Sequence, residues 1–179
     1  MRLRQLALAA AALGCANAAL AQTVACNIDL NVADQDPAGL NVRASPGGAI
    51  LTALKARNLW VQVHVTGQRS DASGGAWARI DKATLIGDET DTPDKVLFKG
   101  VGWVAFSKLG VEEFDTRTRI RATPHGDAKV LLSLEGWDDN ALPTAEALLG
   151  CDGAWLKVRL KGVTGWTDNY CANQLTTCV

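Results

Sequence analysis

Past its first 21 residues the chain has no apolar run long enough to cross a bilayer as a helix, which takes about 20 residues. It has no Cys-x-x-Cys pair, and neither of its two histidines, His64 and His125, lies near a cysteine in sequence, so no zinc ligand set is legible. The Asp88 to Asp94 run is acidic but lacks the spacing of a calcium loop. Tyrosine occurs once, as Tyr170. No long stretch has the 3.6-residue apolar period of an amphipathic helix. No Ser or Cys stands with a His and an Asp in a pattern that suggests an activated nucleophile. Paired acids occur at Asp88-Glu89, Glu112-Glu113 and Asp138-Asp139, but small β units offer no deep cleft for a carboxylate pair to face across. These absences argue against an enzyme and imply no cofactor and no metal.

The start of the chain has the layout of an export signal. Arg2 and Arg4 precede an apolar run from Leu6 to Leu13, and Ala19-Leu20-Ala21 is a small-residue cleavage pattern. Cleavage after Ala21 is expected. Leu13-Gly14-Cys15 offers a rival cut with a lipid tether on Cys15, but Ala12 stands where such sites usually carry leucine. The exported chain keeps 16 Lys and Arg against 19 Asp and Glu, a net charge of −3. That balance gives no electrostatic reason to bind nucleic acid or an anionic membrane surface. Four cysteines remain: Cys26, Cys151, Cys171 and Cys178. An even count in an exported chain reads as two disulfides, with three possible pairings. Cys151–Cys171 with Cys26–Cys178 is preferred, the first clipping the last strands and the second joining the chain ends. A Cys171–Cys178 loop is the main competitor.

The chain says nearly the same thing twice. Leu40-Asn41-Val42-Arg43-Ala44-Ser45-Pro46 returns as Thr118-Arg119-Ile120-Arg121-Ala122-Thr123-Pro124, and Gly75-Ala76-Trp77 returns as Gly153-Ala154-Trp155. Arg43 and Trp77 are 34 positions apart, as are Arg121 and Trp155. Each half closes on a Gly-Trp pair, Gly102-Trp103 and Gly165-Trp166. Landmarks repeating in one order indicate two copies of one unit. Short alternating runs bounded by Gly and Pro turns, such as 59–65, 76–80 and 155–160, make both copies all-β. Residues 143–149 are ambiguous, since Pro143 is suited to open a helical turn. The expected organisation is a signal at 1–21, a first unit at 22–111 and a second at 112–179 with a Cys-bearing tail. The first unit opens on a polar lead-in at 22–38. It also holds extra residues between its last strands, since Trp77 and Trp103 are 26 positions apart but Trp155 and Trp166 only 11. An inserted, solvated loop at 81–100 is expected there.

These residues resemble the bacterial SH3 (SH3b) family, which opens with a Leu-Asn-Val-Arg-like strand and turn, continues with a Trp-x-x-Val strand and closes on Gly-Trp-Val. The matching segments are Leu40 to Pro46, Trp77-Ala78-Arg79-Ile80 and Gly102-Trp103-Val104 in the first unit. In the second they are Ile120 to Pro124, Trp155-Leu156-Lys157-Val158 and Gly162 to Trp166, with Thr167 replacing the usual apolar residue. The resemblance implies two tandem small SH3-like barrels. It implies a non-catalytic module of exported proteins that recognises cell-wall peptide or an envelope protein, and no binding signature that can be carried over residue by residue.

The recurrent tryptophans Trp77, Trp103, Trp155 and Trp166 are expected to fill or edge the two cores. Trp60 precedes an alternating strand, and Trp137 lies in an acidic loop without a counterpart, which makes it the surface candidate. The recurrent Arg43 and Arg121 are expected at the barrel surface, paired with loop acids. Trp137, Asp168, Asn169 and Tyr170 are the candidate ligand-binding residues, in a groove between loops of the second unit. The expected function is a binding or scaffolding module of the bacterial envelope, periplasmic or secreted. The alternative is a disulfide-locked interaction protein that protects or inhibits a partner enzyme.

Overall fold

The structure, a computed structural model, describes residues 22–57, 59–71, 73–87, 93–138 and 141–172. The expected export signal with Cys15, residues Asp88 to Thr92 of the acidic run, Asp139 and Cys178 lie outside the described residues.

The chain is all-β, in two sheets. The first half supplies β1 (Val24–Val32), β2 (Leu40–Arg43), β3 (Ile50–Leu54), β4 (Val61–Ser70), β5 (Ala76–Leu85), β6 (Lys95–Ala105) and β7 (Leu109–Gly110), with a 3-10 turn at Phe106–Lys108 before β7. The second supplies β8 (Arg119–Arg121), β9 (Val130–Ser133), β10 (Ala147–Asp152), β11 (Trp155–Leu160) and β12 (Val163–Thr167). The sheet orders are β3-β2-β6-β5-β4-β1-β7 and β9-β8-β12-β11-β10. Both halves therefore lay the same five strands side by side in the same order. The match extends to single residues. Arg43 pairs with Trp103, and Arg121 with Trp166. The register breaks between Val42 and Arg43, and again between Ile120 and Arg121.

The repeated Gly-Trp pairs have a packing cause. Alternation sends the glycine to the core face and the tryptophan to the outer face. A Cβ on Gly102 would stand 2.3 Å from Val42 Cγ1, and one on Gly165 would stand 2.5 Å from the Arg121 carbonyl oxygen and 2.6 Å from Ile120 Cγ2. Glycine lets Val42 and Ile120, both fully buried, sit directly against the closing strand. Of the four recurrent tryptophans, Trp103 alone is buried, at 7% exposure, while Trp77, Trp155 and Trp166 are half-buried. Of the two expected placements they do not fill the cores: they lie on the face opposite Val104, Ile80, Val158 and Leu156. The cores are built of aliphatic residues with Phe106 and Phe114.

Two further expectations change. The lead-in at 22–38 contains a nine-residue strand, β1, whose Ile28, Leu30 and Val32 are buried. Its alternating polar residues disguise it as loop. The 81–100 segment is largely strand, because β5 and β6 run on past the repeated core and pair as far as Leu85 with Lys95. Of residues 143–149, where a helical turn was an option, 147–149 begin strand β10 and 143–146 are not helical.

The halves share one hydrophobic core. Strand β10 packs against β1, β4, β5 and the 3-10 turn, and Cys26 of β1 is disulfide-bonded to Cys151 of β10. This overturns the preferred pairings Cys151–Cys171 and Cys26–Cys178. A parallel bridge between Cys26 and Gly153 brings the two cysteines together. Gly153 N donates to Ala25 O at 2.9 Å, and Asn27 N donates to Gly153 O at 2.8 Å. Cys171 is also disulfide-bonded, with a partner outside the described residues.

Candidate functional site

The residues after β12 leave the second sheet and cross to the first. Cys171 N donates to Glu113 O at 2.9 Å, Glu112 N donates to Cys171 O at 2.7 Å, and Gln62 Nε2 donates to Ala172 O at 3.4 Å. This crossing leaves an open cleft of about 510 Å³ over the outer face of β1 and β4, lined in part by Asn27, Asp29, Gln62, His64, Asp168 and Tyr170. Alternation along β1 and β4 explains the polar floor. Asn27, Asp29, Gln62 and His64 are the outward residues of strands whose inward residues, Ile28, Leu30, Val63 and Val65, are core.

Burial, then the nearby Asp29 charge, raise the Tyr170 phenol above its ordinary value. It stays a neutral hydrogen-bond donor at any physiological pH. His64 Nδ1 lies 2.8 Å from Asp81 Oδ1, and Nε2 lies 3.0 Å from Asn27 Oδ1. The carboxylate only accepts, so Nδ1 carries a proton. The Asp81–His64 pair thus faces an amide and has no hydroxyl or thiol on its other nitrogen. The cleft offers two carboxylates, Asp29 and Asp168, with a phenol and an imidazole. That set suits a ligand with a free amine and hydrogen-bonding groups beside it.

The four sequence candidates separate. Asp168 and Tyr170 both line this cleft. Asn169 holds the chain through its backbone, its carbonyl accepting from Thr118 Oγ1 and Thr167 Oγ1, each at 3.2 Å. Trp137 lies outside the cleft, half-buried against the core, with Lys161 Nζ 5.6 Å from its ring centre. The cleft residues of the first half, Asn27, Asp29, Gln62 and His64, were missed. Their only signal was the polar phase of the β1 and β4 alternation, and nothing in one strand tells which distant segment will cross it.

Among the described residues the recurrent arginines do not pair with loop acids. Arg43 Nη1 donates to Gly48 O at 2.7 Å, and Arg121 Nη1 donates to Ala128 O at 2.9 Å, each fixing the hairpin turn that follows its own strand. Beside them a cation covers each closing indole: Arg69 lies 4.9 Å from the Trp103 ring centre, and Lys157 5.5 Å from that of Trp166. The repeat therefore encodes turn and face packing, and the polar side chains of the cleft come from residues outside its repeated letters. Among the described residues no cluster of His, Cys, Asp and Glu is arranged to hold a metal ion, and no helix is long and apolar enough to cross a membrane.

No family model, no curated protein and no solved structure matches this chain.

Proposed function

We propose that this protein is a non-catalytic binding module of the bacterial envelope, and that it holds an amine-bearing cell-wall peptide in the cleft between its two halves. The observation that carries the proposal is the placement of Asp29, Asp168 and the protonated Tyr170 phenol around one open cleft. A carboxylate pair receives an ammonium group, and the phenol donates to a peptide carbonyl. The resemblance of both units to bacterial SH3 domains supports a peptide ligand. The signal-like start and the Cys26–Cys151 disulfide support an exported protein in an oxidising compartment. The test is calorimetry with a synthetic stem peptide carrying a free lysine amine. Binding should weaken by about tenfold in Asp168→Asn and by about fivefold in Tyr170→Phe. Wild-type affinity in both variants would sink the assignment of the cleft.

A second reading, an interaction protein that protects or inhibits a partner enzyme, is favoured by a different observation. The edge strands β3 and β9 occupy equivalent places and expose Ile50 with Leu51 and Val130 with Leu131. Unpaired edges with apolar side chains are templates for strand addition by another chain. Recovery of one protein partner, lost in Leu51→Lys, with no retention on purified sacculi, would favour it.

A further inference from the structure

A second cleft lies where the end of β1 meets Ala56, Leu59 and Trp60 and the 110–112 segment. Its volume is about 350 Å³, and Asn31, Gln35, Leu59, Trp60 and Glu112 are among its lining residues. Two observations mark it. Leu59 and Trp60 are consecutive large apolar residues, yet Trp60 is 43% exposed and Leu59 is exposed beside it. Asn31 is the opposite, a polar residue only 4% exposed, whose Nδ2 has no hydrogen-bond partner among the described residues. Buried amides are nearly always satisfied, and an orphan donor forfeits its hydration without return. Strand pairing with Gln62 on one side and Gly110 on the other fixes Asn31 in place. An orphan amide beside an unburied indole is an unfavourable arrangement for the free protein, and one acceptor-bearing ligand relieves both.

We propose that this cleft binds a sugar bearing an acetamido group. The Asn31 side chain turns toward the cleft so that its Nδ2, shielded in the free protein, donates to the acetamido carbonyl, the apolar face of the ring lies on Trp60, and the Gln35 amide and Glu112 carboxylate take up hydroxyls. The chemistry selects a carbohydrate over an apolar peptide side chain. Two amides and a carboxylate around one indole meet several hydroxyls, which a leucine or phenylalanine lacks. The site goes beyond the peptide reading above and does not depend on it, because the two clefts share no lining residue.

The experiment titrates the full exported chain with tri-N-acetylchitotriose, its de-N-acetylated counterpart and cellotriose, followed by indole fluorescence and NMR amide shifts. Saturable binding of the acetylated trimer is expected, with the other two weaker by about tenfold or more. Trp60→Ala and Asn31→Leu should each weaken it by about tenfold, while Asp168→Asn leaves it unchanged and weakens only stem-peptide binding. Asn31→Leu should keep or raise the melting temperature, since it removes the orphan amide, and this separates a lost ligand group from misfolding. Absence of binding by the acetylated trimer at millimolar concentration, equal binding of the three sugars, or wild-type affinity in Asn31→Leu overturns the proposal.

Discussion

The two halves of this protein have one strand order and two ways of finishing a sheet. The first continues past β4 with β1 and β7, so its sheet has seven strands. The second stops at β10, and that edge is covered by the first half and fastened through Cys151. The copied residues make the shared five strands, while the uncopied ones decide how the copies join. Even identical letters diverge at the join. Gly75 N donates to the Asp71 carboxylate at 2.9 Å in a local turn, whereas its counterpart Gly153 pairs through both backbone groups with β1. A repeat therefore predicts a shape and leaves its attachments open.

The disulfide gives the largest test of this difference. Replacing Cys26 and Cys151 by serine releases a link spanning 125 residues, which costs about 2–5 kcal/mol. The melting temperature should fall by about 5–15 °C, with the second half losing protection from hydrogen exchange first because its sheet ends on the released strand. Equal loss of protection in both halves would break the claim that the second depends on the first.

The paired glycines sharpen the comparison. Gly165→Ala drives a methyl toward a backbone oxygen, whereas Gly102→Ala meets the Val42 and Phe98 side chains, which yield only by shifting within the core. Gly165→Ala should cost about 3 kcal/mol and Gly102→Ala about 1–2 kcal/mol by denaturant unfolding. The reverse order would mean that the second unit's closing strand is less constrained than its register indicates.

A smaller contrast separates the covered indoles. Arg69→Ala should cost about 1–2 kcal/mol, because it uncovers the buried Trp103, and Lys157→Ala about 0.5 kcal/mol over the half-buried Trp166. Similar losses would remove burial as the distinction.

The smallest effect is confined to acid. Hydrogen bonds from Ser73 Oγ, Trp77 Nε1 and the Gly75 and Ser73 amides hold the Asp71 carboxyl down at about 2, against an ordinary 3.8. A depressed carboxylate stabilises the fold fully above its unfolded value, and that contribution disappears as pH falls through the folded one. Trp77 fluorescence should therefore report a local change between about pH 4 and pH 2 in the wild type, and none in that window in Asp71→Asn.

Several elements were legible because their cause is local. Alternation at 59–65, 76–80 and 155–160 marked parts of β4 and β5 and the whole of β11. The Gly-Trp repeat marked the closing strands, although it was the glycine and not the tryptophan that faced the core. Strand β1 was hidden because Asn27, Asp29 and Asn31 give it the look of a polar lead-in, and its partner β4 lies 30 residues and more away. Asp168 and Tyr170 were singled out by their position past the closing strand, and both line the cleft. The first-half residues that complete their cleft were not, since they have no tie in sequence to the tail that covers them.

By itself the sequence determined the β class and the duplication of one unit, because alternation and turn chemistry act over a few residues. The tertiary structure alone decided that β1 joins the first sheet, that Cys26 meets Cys151, and that the outer face of one half becomes the floor of a cleft roofed by the other. Those outcomes depend on which distant surfaces exclude water together, and no local pattern in the chain records that choice.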